Sequence, residues 1–300
     1  MHYSIGIDIG GTFIKFGLVT SDGTIIQHLQ VPTPLKKEKI MDSLLTNIHQ
    51  LKAHHSVSAI GVSVPGTSDK KGTLLLAGAL TDLYGYPLGT ELQKHLNLPV
   101  YVENDANCAG LAELWLGNGQ ESQNFICMTL GTGVGGAILL NKQLYRGSTR
   151  NAGEFGLMIV NKLNYDIDVF YSSLNLYGSV QNGLVRLYNK YANNHKSDSG
   201  KEIYDLFQNN ELAAQKAVNE FLRALSIGLL NVTSVLDPDL ILIGGGISSN
   251  KQFISDLNDS FTNIWKQHGH IKHRNQPQIK SCFLGNDAGI LGAAFLTLQK

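Results

Sequence analysis

The sequence predicts an α/β protein built from two duplicated halves, and two observations carry that prediction. Each is an apolar strand that enters a glycine-rich turn and leaves it as another strand. The first runs from Tyr3 to Ile7, through Asp8-Ile9-Gly10-Gly11-Thr12, into Phe13 to Val19. The second runs through Leu130-Gly131-Thr132-Gly133-Val134-Gly135-Gly136, with strands at 124–130 and 134–140. Three hundred residues are enough for two domains, each with its own core.

The remaining elements follow in order. Ser21-Asp22-Gly23 is a hairpin turn before a strand over 24–31. Ile40, Leu44, Leu45, Ile48 and Leu51 recur at helical spacing over 38–54. A buried strand over 59–64 stops at Pro65-Gly66, and a short helix over 92–96 precedes a strand at 100–102. A helix is expected over 104–116, then an interruption at Gly117-Asn118-Gly119. Asn141-Lys142 turns the second hairpin, and 171–236 reads as mostly helical with a break over 193–200. Asp237-Pro238 ends the long helix, a strand over 240–243 runs into Gly244-Gly245-Gly246, and helices close the chain at 250–265 and 288–298. The expected domains are 1–118 plus 285–300, with the last helix packed back on the first half, and 119–284.

Composition excludes several classes. Lys plus Arg and Asp plus Glu each total 24, so the formal charge is zero and no basic surface for nucleic acid stands out. No signal peptide or membrane span is expected. Three scattered cysteines, Cys108, Cys127 and Cys282, fit reduced thiols in a cytoplasmic protein.

Glycines without a Cβ leave backbone N–H groups open to an anion. In the first turn Gly10, Gly11 and the Thr12 hydroxyl suit a phosphate, Lys15 is within sequence reach, and Asp8 suits a water of hydrated Mg²⁺. In the second, Gly131, Thr132, Gly133 and Gly135 suit the other side of a phosphate chain. Neither turn opens a helix, which excludes the P-loop and the dinucleotide fingerprint. Gly245 and Gly246 suit the nucleoside end. Between the turns lies Glu103-Asn104-Asp105-Ala106-Asn107 at a helix start, where the macrodipole favours an ionised carboxylate. Phosphoryl transfer to an alcohol needs such a proton acceptor. The alternative is that Asn104 or Asp105 caps the helix.

Taken in order, these segments resemble the ROK family (repressors, open reading frames and kinases) along essentially the whole chain. The resemblance rests on Asp8 to Thr12, Ser63-Val64-Pro65-Gly66, Glu103 to Asn107, Leu130 to Gly136, Ala152-Gly153-Glu154-Phe155-Gly156, Pro238 to Gly246 and Leu284 to Ala294. It implies an actin-like ATPase (ribonuclease H-like) fold with a cleft between two duplicated domains. It also implies ATP and Mg²⁺, a homodimer, and phosphorylation of a hexose 6-hydroxyl with Asp105 as base. Ser63, Pro65, Gly66, Asn104, Asp105, Gly153 and Glu154 are the sugar-site positions that it implies.

The chain departs from the family in two places. Many members follow Gly-Glu-x-Gly with a zinc-binding histidine and then clustered cysteines; here Leu157 stands there and residues 158–171 contain neither. No zinc is therefore expected. The segment Gly78 to Pro87 lacks the usual Asn and Trp, leaving Thr81, Asp82, Tyr84 or Tyr86 to replace them. A pocket less strict around C1 to C3 implies a β-glucoside, a disaccharide or an N-acetylated hexosamine such as N-acetylmannosamine, besides glucose. The family's repressors carry a DNA-binding domain ahead of the first turn, which is not expected here. A non-catalytic sugar-binding regulator is the remaining alternative.

Overall fold

The computed structural model describes residues 3–193 and 195–299. Its first elements are β1 (Tyr3–Ile9), β2 (Phe13–Thr20), β3 (Ile25–Pro32), α1 (Lys37–Lys52), β4 (Val57–Val64), β5 (Thr67–Ser68), β6 (Leu74–Leu76), α2 (Leu88–Leu96), β7 (Val100–Asn104) and α3 (Asp105–Leu116). Then come β8 (Phe125–Leu130), β9 (Val134–Leu140), β10 (Gln143–Leu144), α4 (Leu174–Gly178), α5 (Arg186–Tyr191), α6 (Gly200–Gln208) and α7 (Leu212–Leu236). The chain closes with β11 (Leu240–Gly244), α8 (Lys251–Gln267), β12 (Gln278–Ser281) and α9 (Ala288–Leu296). Asn194, within the expected helix break, lies outside the described residues.

The chain forms two compact units. One comprises Met1–Glu121, Leu144–Ala152 and Phe283–Lys300; the other comprises Ser122–Gln143 and Gly153–Cys282. Residues 144–152 follow the second glycine turn in sequence yet group with the first unit.

The two large sheets share one topology: β3-β2-β1-β4-β7 and β10-β9-β8-β11-β12. In each, an antiparallel hairpin carries the glycine turn and two further strands run parallel to its first strand. The duplicated α/β fold expected from the two turns is therefore present.

In the first unit, Ile40, Leu44 and Ile48 of α1 and Leu92 of α2 are buried with Ile5, Ile7, Ile60 and Val62 of the sheet. Helix α9 also lies on β1 and β4, and two glycines of those strands make room for it. A Cβ on Gly6 would sit 2.1 Å from the Ile290 carbonyl oxygen, and one on Gly61 would sit 1.7 Å from that of Ala293. Parallel strands covered on both faces read as continuous apolar runs, as 59–64 does. Helix α2 begins four residues before the expected 92, and strand β12 was not anticipated. In the second unit α7 ends at Leu236 as expected, with Asp237 left-handed at φ 47°. The three cysteines form no disulfide among the described residues, and Cys127 Sγ lies 3.6 Å from Cys282 Sγ in thiol contact. Among the described residues, no helix is long and apolar enough to cross a membrane.

Candidate active site

In the first turn two carbonyl oxygens are occupied and two amides are open, while the Gly10 N–H closes the turn on the Phe13 carbonyl at 2.9 Å. Gly10 accepts from Thr33 Oγ1 at 2.7 Å and Thr12 from the Thr33 N–H at 2.9 Å. The N–H groups of Gly11 and Thr12, both exposed, make no hydrogen bond among the described residues. Asp8 lies at the end of β1 beside this turn. Ser63, its register partner on β4, donates to Asp8 Oδ1 at 2.8 Å. Gly289, near the start of α9, lets the carboxylate approach: a Cβ there would sit 2.4 Å from Asp8 Cγ. Burial pushes the Asp8 carboxyl up, against the opposing pulls of the Ser63 hydrogen bond and the Lys15 charge. A carboxylate fixed in this way suits a hydrated divalent cation, which takes hard oxygen ligands.

Two expected contacts have other partners here. Ser63 is fully buried and its hydroxyl donates to Asp8. Lys15 stands opposite Asp8 across β2, and its Nζ donates to the Asn286 carbonyl at 3.2 Å, just ahead of α9.

Asp105 is the first residue of α3 and is exposed. Asn104 is the N-cap: its Oδ1 accepts from the Asn107 N–H at 3.0 Å. Its Nδ2 donates to the Gly66 carbonyl at 2.8 Å and to Asp105 Oδ1 at 3.0 Å, and the Ala106 N–H donates to Asp105 Oδ1 at 2.8 Å. Capping thus falls to Asn104, and its amide aims the aspartate instead of reaching outward. Gly66, at φ 90°, faces the Leu76 carbonyl, where a Cβ would sit 2.2 Å away; Pro65 precedes it, half-buried. The first unit therefore brings Asn104, Asp105 and Gly66 together.

The segment over 81–86 narrows. Asp82 accepts from the Lys37 N–H at 2.8 Å at the start of α1, and that bond holds its carboxyl below the usual range. Tyr86 packs against the core. Thr81 and Tyr84 remain exposed.

The second unit holds the other turn. Ile9 pairs with Ile14, whereas Leu130 pairs with Val134, so the second turn is one residue tighter. Gly131, Thr132 and Gly133 form it, and Gly135 lies inside β9, opposite Thr129. The Gly131 carbonyl accepts from the N–H groups of Val180 and Gln181 at 3.0 and 3.2 Å. Asn175 Oδ1 accepts from the Val134 N–H at 2.7 Å. The N–H groups of Thr132 and Gly133 make no hydrogen bond among the described residues.

Beside this turn is a cavity of about 620 Å³, lined by Gly131, Thr132, Gln181, Lys201, Tyr204, Gly246 and Asn250 among others. The two glycine segments expected to serve one nucleotide thus border one space. Gly245 sits under the Leu130 carbonyl, where a Cβ would lie 2.1 Å away at φ 89°. Tyr204 is buried, donates to Asp256, and has its hydroxyl pushed well above the usual range, mainly by burial. Gly153, at φ 93°, packs on the Gly136 carbonyl and presents Glu154, whose carboxyl partial burial pushes up. Leu157, at the position of the expected histidine, is 60 % exposed.

Sequence reasoning passed over several groups. Gln181, Lys201 and Tyr204 come from helices with no glycine signature. Gly289 had a signal, since two glycines three apart in an apolar helix (Gly289, Gly292) indicate close packing. Arg146 and Arg150 lay in an unassigned loop; both pair with the buried Glu103, at 2.6 and 2.9 Å.

A duplicated pair of sheets, each opening on an amide-lined glycine turn, defines an actin-like ATPase fold. Residues 4–300 match the ROK family, and the chain belongs to it. It is 34 % identical over 303 residues to the beta-glucoside kinase of Listeria innocua, covering 98 % of this chain and 96 % of that one. Among solved structures, a ROK family protein of Streptococcus pneumoniae in complex with sucrose has TM-score 0.87 and 32 % identity, covering 99 % of this chain and 98 % of that one. A ROK family glucokinase of Streptomyces griseus in complex with glucose and AMPPNP has TM-score 0.82 and 32 % identity, covering 99 % and 100 %.

Proposed function

We propose that this protein is an ATP-dependent sugar kinase that phosphorylates the 6-hydroxyl of a hexose, with a β-glucoside as the favoured substrate. One observation carries the reading: an exposed carboxylate, Asp105, is aimed by Asn104 and the Ala106 N–H at the start of α3, in a chain with two amide-lined glycine turns. The name of the Listeria innocua relative and the exposed Leu157 favour a substituent on C1.

Asp105 accepts the proton of the attacking hydroxyl. The open amides of Gly11, Thr12, Thr132 and Gly133 stabilise phosphate oxygens. The 620 Å³ cavity, with Gly246 on its wall, takes the nucleoside. Glu154 binds sugar hydroxyls, and Thr81 and Tyr84 are the exposed replacements for the missing contacts. Asp8 would hold Mg²⁺ through water, and the bound ion offsets charge on the phosphates. No zinc takes part: Leu157 replaces the ligand histidine, and one tightly bound zinc per chain in metal analysis would contradict this.

A coupled assay against cellobiose, simple β-glucosides, glucose, N-acetylmannosamine and fructose tests the reading. ATP turnover with a β-glucoside or cellobiose above that with glucose is the expected result. Turnover with none of the panel would overturn it.

A further inference from the structure

Glu103 is 3 % exposed and divides its two oxygens between two jobs. Oε1 accepts from the Asn104 N–H at 3.0 Å and from Asn107 Nδ2 at 3.1 Å. Those are the residues at the two ends of the cap bond that starts α3. Asn107 turns its amide nitrogen to Glu103 and leaves its own Oδ1 buried without a partner among the described residues. Oε2 accepts from Arg146 Nε at 2.6 Å and Arg150 NH2 at 2.9 Å.

The arginine side is equally committed. Arg150 Nε donates to the Ser68 carbonyl at 2.7 Å, and Asn151 Oδ1 accepts from Thr67 Oγ1 at 2.8 Å. Arg150 is held left-handed at φ 64°, a conformation that a non-glycine residue keeps only when its surroundings impose it. A buried carboxylate without its cations is strongly disfavoured, so the pair and the cap stand or fall together.

We infer that Glu103 is a positioning residue for phosphoryl transfer: with Arg146 and Arg150 it fixes the Asn104–Asn107 cap and thereby the direction of Asp105. The inference rests on the proposed role of Asp105 and adds a dependence of that role on the arginine segment. Asn104 links the two carboxylates, its N–H donating to Glu103 Oε1 and its Nδ2 to Asp105 Oδ1, so the expected effect of Glu103 on rate runs through the aspartate.

The test is a double-variant cycle on the full chain with ATP and the best sugar of the panel. Glu103→Gln keeps an acceptor for the Asn104 N–H but loses the charge that the arginines need. With wild-type Asp105 it is expected to lower kcat by on the order of 10- to 100-fold, as a small misplacement of a reacting group does. The KM for ATP should stay within about twofold, because binding and chemistry respond separately. In the Asp105→Asn background the same change should cost less than about twofold, since residues acting as one unit are not additive.

Arg150→Met should reproduce the kcat loss. Near-UV circular dichroism and ATP affinity confirm that each variant is folded. Equal rate losses in both backgrounds, or an unchanged kcat for Glu103→Gln, would overturn the inference while leaving the kinase reading intact. A wild-type protein that phosphorylates no sugar would overturn both.

Discussion

The two sheets have the same strand order but differ at the equivalent site positions. In the first unit Asp8 of β1 stands beside Ser63 of β4; in the second, Thr129 of β8 stands beside Gly244 of β11. Across the hairpins, Lys15 faces Asp8 whereas Gly135 faces Thr129. After the parallel strand the first unit has Pro65-Gly66, tied to Asn104, and the second has Gly245-Gly246, with Gly246 on a cavity wall. At these positions the first unit carries Asp8, Ser63 and Lys15, whereas the second carries Thr129 and two glycines, Gly244 and Gly135. On the proposed reading both turns bind phosphate, the first half supplies the acid–base chemistry and the second the nucleoside volume.

Predictions follow this division. Asp105→Asn removes the proposed proton acceptor of the first unit and should cost about 10³-fold in kcat, the middle of the range for a general base, with sugar affinity changed only a few-fold. Isothermal titration with the sugar and a coupled rate assay check this together.

Gly246→Val acts on the second unit alone. Gly246 lines the cavity and a Cβ there meets nothing within 4 Å, so added side-chain volume is expected to cost the cavity more than the fold. ATP affinity should fall by roughly 10- to 100-fold, a loss of about 1.4–2.8 kcal/mol, while sugar affinity stays unchanged. This separates the halves better than Gly133→Val, whose Cβ would sit 2.9 Å from Asn175 Oδ1 and disturb the Val134 contact.

Asp8→Asn should stabilise the fold while impairing transfer. Because burial raises the carboxyl of Asp8 above its ordinary value of 3.8, the folded state binds its proton more tightly than the unfolded chain. The contribution of this group is then fully present below that value and is lost as pH rises through the higher folded one. Removing the charge should raise Tm by about 1–2 °C at pH 7, a gain that fades in acid. Calorimetry across pH reads it, and an equal gain at every pH would contradict the burial argument.

The smallest effect concerns Glu154. Its carboxyl is raised above the ordinary 4.5 by partial burial, so it protonates earlier than a free glutamate as pH falls. The sugar KM should rise between pH 7 and 5 in the wild type and stay flat in Glu154→Gln, measured with ATP saturating.

Much of the architecture was legible because glycine turns, apolar strands and helical spacing are local signals. Both hairpins, α1, α3, β11 and the end of α7 lie within a few residues of their expected places. Strand β12 was not legible: Gln278-Ile279-Lys280-Ser281 has one apolar residue, and its pairing with β11 comes from the sheet edge. At the site, backbone-driven features were readable, such as the turns and a helix cap at Asn104 or Asp105. Long-range side-chain partners were not. The bond from Ser63 to Asp8 depends on the register of β4 against β1, and Arg146 and Arg150 had no local pattern linking them to Glu103.

The central claim is transfer from ATP to a sugar 6-hydroxyl, and phosphorus NMR of the product tests it most directly. With ATP, Mg²⁺ and cellobiose or a simple β-glucoside, the account predicts one new phosphomonoester, coupled to the protons on C6. A phosphate on another hydroxyl, or ATP consumed with only inorganic phosphate released, would contradict it.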